Sequence, residues 1–108
     1  MESKEHIIVF VTAKDNAEAS AIAQGLLREK LIACANIVDG IKSLFWWQGK
    51  IDESRETMLV LKTRRDLFDR LSSKVKELHS YDTPEIIALP IVQGSADYLN
   101  WINSSVSS

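Results

Sequence analysis

The chain has 108 residues, of which 45% are hydrophobic and 26% are charged, and its formal net charge is −2. This length supports one hydrophobic core and no second one, so we expect a single domain over residues 1–108. The near-neutral charge argues against nucleic-acid binding, which needs a basic surface, and no run of 18 apolar residues is present to span a membrane. A single cysteine, Cys34, excludes an internal disulfide framework and favours a reducing compartment such as the cytoplasm.

The first half of the chain predicts a strand, a helix and a second strand. Residues 6–13 are apolar and rich in β-branched side chains, which is typical of a buried strand. Asp15, with Glu18 three residues later, forms an acidic capping box and predicts the start of a helix. The apolar stripe of this helix comprises Ala19, Ile22, Ala23, Leu26, Leu27 and Leu31. Gly25 lies beside that stripe, where it permits close packing.

An extended segment over residues 33–48 follows, with a bulge or bend expected at Asp39-Gly40. Residues 48–50 predict a hairpin turn, and the returning strand is polar over 51–56 and apolar over 57–61.

The remainder predicts a second helix, a strand and a short terminal helix. Thr63 with Asp66 repeats the capping pattern, so we expect the second helix to begin there. Its stripe comprises Leu67, Phe68, Leu71, Val75 and Leu78. Residues 85–92 predict the last main strand and residues 94–103 the terminal helix, after which the serine-rich stretch 104–108 is expected to fray.

The order of elements, β-α-β-β-α-β with a short C-terminal helix, predicts an α+β ferredoxin-like sandwich. Right-handed crossovers place both long helices on one face of a four-stranded antiparallel sheet. The other face would normally alternate with polar residues, but Ile8, Phe10 and one of Trp46 and Trp47 project from it. Their area exceeds the roughly 300–600 Å² apolar patch usual on a monomer, so we expect the chain to oligomerise. Alternatively, the terminal helix folds back over part of this face.

Three further features bear on the edge of the sheet and on candidate sites. Proline in a strand favours a sheet edge or a bulge, so Pro90 predicts an edge strand. Cys34 lies between two alanines in a buried segment, which favours a structural thiol over a reactive one. Lys62, Arg64 and Arg65 are either an anion site at the start of the second helix or a solvated helix terminus.

The segment over residues 79–85 brings together an imidazole, a phenol and two carboxylates. Such ligands suit copper or zinc. However, the spacing of His79 and Glu85 is not a recognised metal motif, and a histidine at a helix C-terminus is also favoured by the helix dipole. No paired nucleophile and base is evident, so we predict that the chain is not an enzyme. The scattered glycines form no phosphate-binding loop, and no organic cofactor is expected.

Several segments resemble, in order along the chain, the divalent-cation-tolerance (CutA) family. They are Val11-Thr12-Ala13, Leu31-Ile32-Ala33-Cys34-Ala35-Asn36-Ile37, Gly40-Ile41-Lys42-Ser43, Trp47-Gln48-Gly49-Lys50-Ile51, Leu61-Lys62-Thr63, Leu78-His79-Ser80-Tyr81-Asp82-Thr83-Pro84-Glu85-Ile86 and Asp97-Tyr98-Leu99 followed by Trp101. The resemblance covers nearly the whole chain, from about Ile7 to Ile102.

This resemblance implies a cytoplasmic homotrimer, similar in shape to the PII signalling proteins, that functions in tolerance to copper and other divalent ions. It implies weak binding of the metal by His79 and Glu85, with Cys34 as a further ligand. We expect Tyr81, Lys62 and Trp47 to line a ligand cleft. The alternative is a PII-like signalling or scaffold trimer that binds a small anion or a protein partner in its inter-subunit clefts.

The chain departs from the family pattern in two places that bear on metal binding. Ser80 stands where many members have proline. Some members also carry an extra cysteine near the first helix, where this chain has Ala17, Ala19 and Ala21.

Overall fold

The computed structural model describes residues 6–107. The elements in chain order are β1 (His6–Ala13), α1 (Asn16–Arg28), β2 (Cys34–Trp47), β3 (Lys50–Arg64), a 3₁₀ turn (Arg65–Leu67), α2 (Phe68–Leu78), β4 (Ile86–Pro90) and α3 (Ala96–Ser105). The strands form one antiparallel sheet in the order β2-β3-β1-β4. This arrangement confirms the predicted α+β ferredoxin-like fold with a short C-terminal helix.

The hydrophobic core lies between one face of the sheet and helices α1 and α2. Alternate residues of the two central strands point into it because successive side chains of a strand lie on opposite faces. The fully buried members include Val9, Val11, Leu59 and Leu61 from the sheet and Ile22, Leu26, Leu71 and Val75 from the helices. The close packing expected at Gly25 is confirmed, since a Cβ atom there would lie 2.8 Å from Cδ1 of Leu78.

Strands β2 and β3 form a long hairpin arm. The pairing shifts register between Val38 and Ile41, which confirms the irregularity predicted at Asp39-Gly40. At the tip, Gln48 and Gly49 have φ angles of 51° and 78°, as a two-residue type I′ turn requires. The arm extends beyond the helices, so both Trp46 and Trp47 are exposed.

The predicted start of the second helix is wrong. Thr63 is still part of β3, and its hydroxyl donates a 2.7 Å hydrogen bond to the carbonyl of Leu31. Asp66 accepts from the Arg64 guanidinium instead of capping, and α2 begins through the 3₁₀ turn without a side-chain cap. Pairing of β3 with β1 continues to the last residue of β3, which lies opposite His6, and this long-range pairing prevails over the local capping pattern.

The chain beyond residue 103 is held in place where the sequence predicts fraying. Helix α3 continues to Ser105, and Val106 is buried. The backbone N–H of Ser107 donates to the carbonyl of Lys30, while its own carbonyl accepts from Arg64. These contacts tie the C-terminal segment to two other parts of the fold; Ser108 lies outside the described residues.

The second face of the sheet, which we call the open face, is only partly covered. Helix α3 covers one end, where Ile102 is fully buried and Asn103 contacts His6 at 3.0 Å. The open face carries the apolar side chains Ile8, Phe10, Met58, Val60, Ile87 and Leu89, as the strand pairing requires. Ile87 and Leu89 are 54% and 53% exposed. The predicted apolar second face is therefore confirmed, and α3 covers only part of it.

Strand β4 forms one edge of the sheet and ends at Pro90, as the proline predicts. It is shorter than the predicted 85–92, because its ladder with β1 runs only from Ile86 to Pro90. No helix within residues 6–107 has the length and apolar character needed to cross a membrane.

Candidate functional site

His79, just after α2, has a fully buried side chain with both ring nitrogens in hydrogen bonds. Its Nε2 lies 2.7 Å from the carbonyl oxygen of Thr12, and its Nδ1 lies 3.0 Å from the backbone nitrogen of Tyr81. Since an amide N–H only donates and a carbonyl only accepts, Nδ1 accepts and Nε2 carries the proton. The geometry therefore selects the neutral imidazole with its proton on Nε2.

Glu18 extends from α1 to the same loop. Its carboxylate accepts hydrogen bonds from the backbone N–H groups of Lys14 at 3.1 Å and Ser80 at 2.8 Å, and one oxygen lies 3.9 Å from Nδ1 of His79. Burial raises the pKa of Glu18, but hydrogen bonds from the Ser80 side chain and from the two backbone groups outweigh it, so the net pKa is lowered. Glu18 is therefore an anion that binds the loop to the start of α1.

The sequence identified Glu18 only as half of a capping box. That role is confirmed in part, because Asp15 caps the helix by accepting from the N–H of Glu18 at 2.9 Å. The hydrogen bond from Ser80 to Glu18 joins residues 62 positions apart, so no local sequence pattern predicts it.

Tyr81 links the loop to β3. Its hydroxyl donates a 2.8 Å hydrogen bond to the carboxylate of Glu56, which is 8% exposed. Burial, and then the hydrogen bond and charge of Glu56, raise the pKa of Tyr81 to about 12. The hydroxyl is therefore protonated at neutral pH and serves as a donor. We call His79, Tyr81, Glu18 and Glu56 the His79 network.

The three predicted metal ligands lie in different places. His79 is buried in its network, Glu85 is exposed at the other end of the loop, and Cys34 lies half-buried on β2. Within the described range 6–107, no three His, Cys, Asp or Glu side chains are grouped so that they could hold a metal ion. A single chain therefore does not assemble the predicted ligands into one centre, and their role as ligands stays a prediction.

A second polar site lies on the open face beneath α3. Lys62 of β3 pairs with Cys34 of β2, and its Nζ lies 3.9 Å from the sulfur and donates to Oδ1 of Asn36. The Tyr98 side chain of α3 lies next to that of Cys34. Burial, and then the neighbouring sulfur, raise the pKa of Tyr98, so its hydroxyl is protonated at neutral pH. We call Cys34, Asn36, Lys62 and Tyr98 the Lys62 cluster.

The three residues expected to line a cleft occupy separate parts of the chain. Lys62 belongs to its cluster, Tyr81 to the His79 network, and Trp47 lies at the tip of the hairpin arm, 59% exposed. Arg64, an alternative anion ligand, is 3% exposed and bound to Asp66. Among these four side chains, Lys62 is the one that combines a positive charge with neighbouring polar groups on the open face.

Residues 7–105 match the family model described as CutA1 divalent ion tolerance protein. The chain belongs to this family. The match spans every element described above, from β1 to α3.

Relatives in the family occur in plants and bacteria. The chain is 46% identical over 99 residues to the protein named CutA 1, chloroplastic, from Oryza sativa, covering 92% of this chain and 56% of that protein. It is 42% identical over 98 residues to the divalent-cation tolerance protein CutA of Thermus thermophilus, covering 91% and 95% of the two chains. The chain thus spans just over half of the rice protein and nearly all of the bacterial one.

Solved structures agree with the fold. The crystal structure of CutA1 from Oryza sativa superposes with a TM-score of 0.94 at 43% identity, covering 97% of this chain and 96% of that one. The structure titled periplasmic divalent cation tolerance protein CutA from Archaeoglobus fulgidus superposes with a TM-score of 0.92 at 44% identity, covering 94% and 99%. At these identities the family and the fold are both shown.

Proposed function

We propose that the protein serves divalent-cation tolerance as a homotrimer that binds copper or another divalent ion weakly. Membership of the CutA1 divalent ion tolerance family supports the cellular role. The observation that carries the assembly is the open face, whose apolar side chains α3 leaves partly exposed. The number three and the PII-like shape rest on the resemblance to the CutA family.

The open face and the hairpin arm together supply the subunit interface. Leu44, Phe45, Trp46 and Trp47 on the arm are all exposed, as are Ile87 and Leu89 on β4. Apolar area removed from water contributes about 25 cal/mol per Å², so a second copy covering these side chains stabilises the assembly. A heterologous contact between identical chains that closes into a ring is the arrangement by which a trimer buries such a surface.

Sedimentation at micromolar concentration tests the assembly. We expect a particle of three times the 12.2 kDa chain mass. Ile87→Asp places a charge on the open face and is expected to weaken the assembly. The matched control is Val92→Asp, because Val92 is 87% exposed and follows β4. A wild-type particle of one chain mass, or equal weakening by both variants, would contradict the proposed interface.

We expect the His79 loop to bind a metal ion only weakly, because the ring nitrogens of His79 already have hydrogen-bond partners. A metal ion that takes Nδ1 of His79 must displace the N–H of Tyr81, which leaves a backbone donor without its partner. Glu18 lies 3.9 Å from Nδ1 and supplies a carboxylate near that nitrogen. Glu85, exposed at the end of the loop, is the second ligand that the family resemblance implies.

Calorimetric titration of tag-free protein with copper tests this assignment. We expect saturable heat that decreases in His79→Ala and in Glu85→Gln. Glu85 is exposed, so Glu85→Gln is expected to fold even if His79→Ala does not. Glu53→Gln is the control, since Glu53 is an exposed carboxylate on the arm paired with Lys42. Unchanged heats in both loop variants would refute the assignment of His79 and Glu85.

A second candidate function is a PII-like signalling or scaffold trimer that binds a small anion or a protein partner in its inter-subunit clefts. The observation that favours it is the Lys62 ammonium, whose contacts are with the Asn36 amide oxygen and the Cys34 sulfur and not with a carboxylate. A thermal-shift screen of nucleotides and organic acids tests it. A uniformly blank screen would count against ligand binding.

We further propose a cytoplasmic location and a non-enzymatic role. The lone cysteine supports the location, because a reducing compartment suits a free thiol. The names of relatives place one in the chloroplast and one in the periplasm, so the compartment differs among family members. Fractionation of cells expressing the protein tests the proposal, and recovery outside the cytoplasm would contradict it.

A further inference from the structure

We propose that the Lys62 cluster binds a small organic monocarboxylate, with the Lys62 ammonium and the Tyr98 hydroxyl as its donors. This inference deepens the second candidate function, because it names the residues and the ligand class within one chain. It requires no metal at the His79 loop.

The first argument is the charge balance at Lys62. Lys62 as a residue is half-buried, and the contacts of its ammonium are the Oδ1 atom of Asn36 and the sulfur of Cys34. Neither partner is a carboxylate, and among residues 6–107 no other contact of this ammonium is found. A partly buried cation is stabilised by a nearby anion, and no carboxylate of residues 6–107 contacts this ammonium.

The second argument is the set of donors around the ammonium. Lys62 has three N–H donors, and the Tyr98 hydroxyl beside Cys34 has one O–H donor that can turn towards an incoming anion. Asn36 uses its carbonyl oxygen to accept from Lys62, so its amide N–H groups remain as donors. Converging donors around one positive charge are the chemistry that recognises an oxyanion.

The third argument selects a monocarboxylate among oxyanions. The cluster contributes one formal positive charge, whereas a phosphate monoester carries about −1.5 to −2 charges at pH 7. The rings of Tyr98 and Trp101 lie 5.4 Å apart and are 41% and 44% exposed, so they offer an apolar surface beside the donors. A ligand with one carboxylate and a short carbon skeleton matches both features.

The position of the cluster connects it to assembly. Lys62 lies on the open face in the same alternating row as Met58 and Val60 of β3. If the open face forms the subunit interface, the ammonium loses further water when the subunits assemble. A bound carboxylate then offsets the charge, so ligand binding and assembly favour each other. The coupling between ligand binding and assembly rests on the proposed trimer. The contacts of Lys62 within one chain are independent of it.

Alkylation of Cys34 provides a direct test, because it is the sole cysteine of the chain and lies 3.9 Å from Nζ of Lys62. Iodoacetate carries a carboxylate, and iodoacetamide is its neutral analogue. With either reagent the sulfur bonds to the methylene carbon, the carbon–iodine bond breaks, iodide leaves and the thiol proton passes to solvent. A change in thiol ionisation affects both reagents alike, so their rate ratio reports how the cluster interacts with the carboxylate of the reagent.

The rate ratio of iodoacetate to iodoacetamide is measured by mass spectrometry of the intact protein. We expect it to fall roughly tenfold in Lys62→Met, since a hydrogen bond to a charged group is lost. Lys62→Arg keeps the charge and is expected to retain most of the ratio. Lys42→Met is the control, because Lys42 lies on the arm and pairs with Glu53. Its ratio is expected to equal that of the wild type.

Competition with sodium acetate and with inorganic phosphate at equal ionic strength tests the ligand class. We expect acetate to slow the iodoacetate reaction more than phosphate does. Equal rate ratios in the wild type and Lys62→Met would overturn the proposed site, and stronger competition by phosphate would overturn the monocarboxylate class. Copper titration of Lys62→Met tests the metal proposal separately from the carboxylate proposal. Lys62 is not one of the proposed metal ligands, so copper binding is expected to be unchanged in this variant.

Discussion

The His79 network and the Lys62 cluster both place polar side chains against the sheet, but they differ in how their charges are satisfied. In the network, the Glu18 carboxylate accepts from the backbone N–H groups of Lys14 and Ser80, and both nitrogens of His79 are hydrogen-bonded. In the cluster, the Lys62 ammonium contacts an amide oxygen and a sulfur and has no carboxylate partner among residues 6–107. A satisfied network holds a loop in place, whereas a cation without an opposite charge is suited to a ligand.

The difference also affects how each site responds to substitution. Removing a member of the network leaves buried groups without partners, which is costly for stability. Removing the Lys62 charge breaks no ion pair with a carboxylate of residues 6–107, so stability changes little while ligand binding is lost. Urea unfolding at a fixed protein concentration measures these effects and keeps the contribution of subunit assembly constant.

The largest expected effect is that of His79→Ala. The substitution removes a fully buried ring and its hydrogen bonds to Thr12 and Tyr81, and we expect a loss of about 3 kcal/mol in unfolding free energy. His6→Ala is the control, since His6 makes one hydrogen bond to Asn103 and is half-buried, and about 1 kcal/mol is expected. Equal losses in the two variants would remove the special role of His79.

Tyr81→Phe is expected to cost about 2 kcal/mol at neutral pH, because the buried Glu56 carboxylate loses its donor. The folded-state pKa of Tyr81 is raised from 10.0 to about 12, so the folded state retains this proton longer than the unfolded state. The corresponding stability is present below pH 10 and is lost as the pH rises towards 12. Tyr81→Phe therefore has a flatter stability profile in that range, and an unchanged alkaline slope would contradict the assignment.

Glu18→Gln is expected to cost about 1 kcal/mol at pH 7, because the amide keeps the shape but loses the charge that strengthens the hydrogen bonds. The pKa of Glu18 is lowered from 4.5 in the folded protein, so its contribution is present above pH 4.5 and disappears as the pH falls through the folded pKa. Urea unfolding of both proteins across the acid range measures this. A difference between wild type and variant that persists at the acid limit would show that the carboxylate charge is not responsible.

The smallest stability effect is expected for Lys62→Met, within about 0.5 kcal/mol of the wild type in the absence of added ligand. The methionine keeps a similar length, and the ammonium that it replaces has no carboxylate partner among residues 6–107. Urea unfolding under the same conditions measures the change. A loss as large as that of Tyr81→Phe would mean that Lys62 is a structural residue and would remove the contrast between the two sites.

Much of the fold could be predicted because the signals are local. The continuous run of apolar and β-branched residues in β1, the capping residue Asp15 and the stripe behind it define the first strand and the first helix. The turn at Gln48 and Gly49 was also predictable, since their positive φ angles occur in residues adjacent in sequence. Each of these elements is governed by interactions within a few residues.

The errors and omissions arise where distant residues meet. Thr63 was expected to cap a helix, but pairing between β3 and β1 keeps it in the strand. Glu18 and Glu56 were not expected to contact the His79 loop, because they lie 62 and 25 positions from their partners Ser80 and Tyr81. Tyr98 was not expected beside Cys34 because that contact depends on how α3 folds back over the sheet.

The amino-acid sequence by itself determined the order of the elements, the apolar character of both faces of the sheet and the similarity to one family, since all three depend on residue type and spacing. Only the tertiary structure decided which charges are satisfied. It brought Glu18 and the Thr12 carbonyl to His79 and left Lys62 without a carboxylate partner among the described residues. The physical reason is that electrostatic satisfaction depends on distances of a few ångströms between groups that the chain brings together only when it folds.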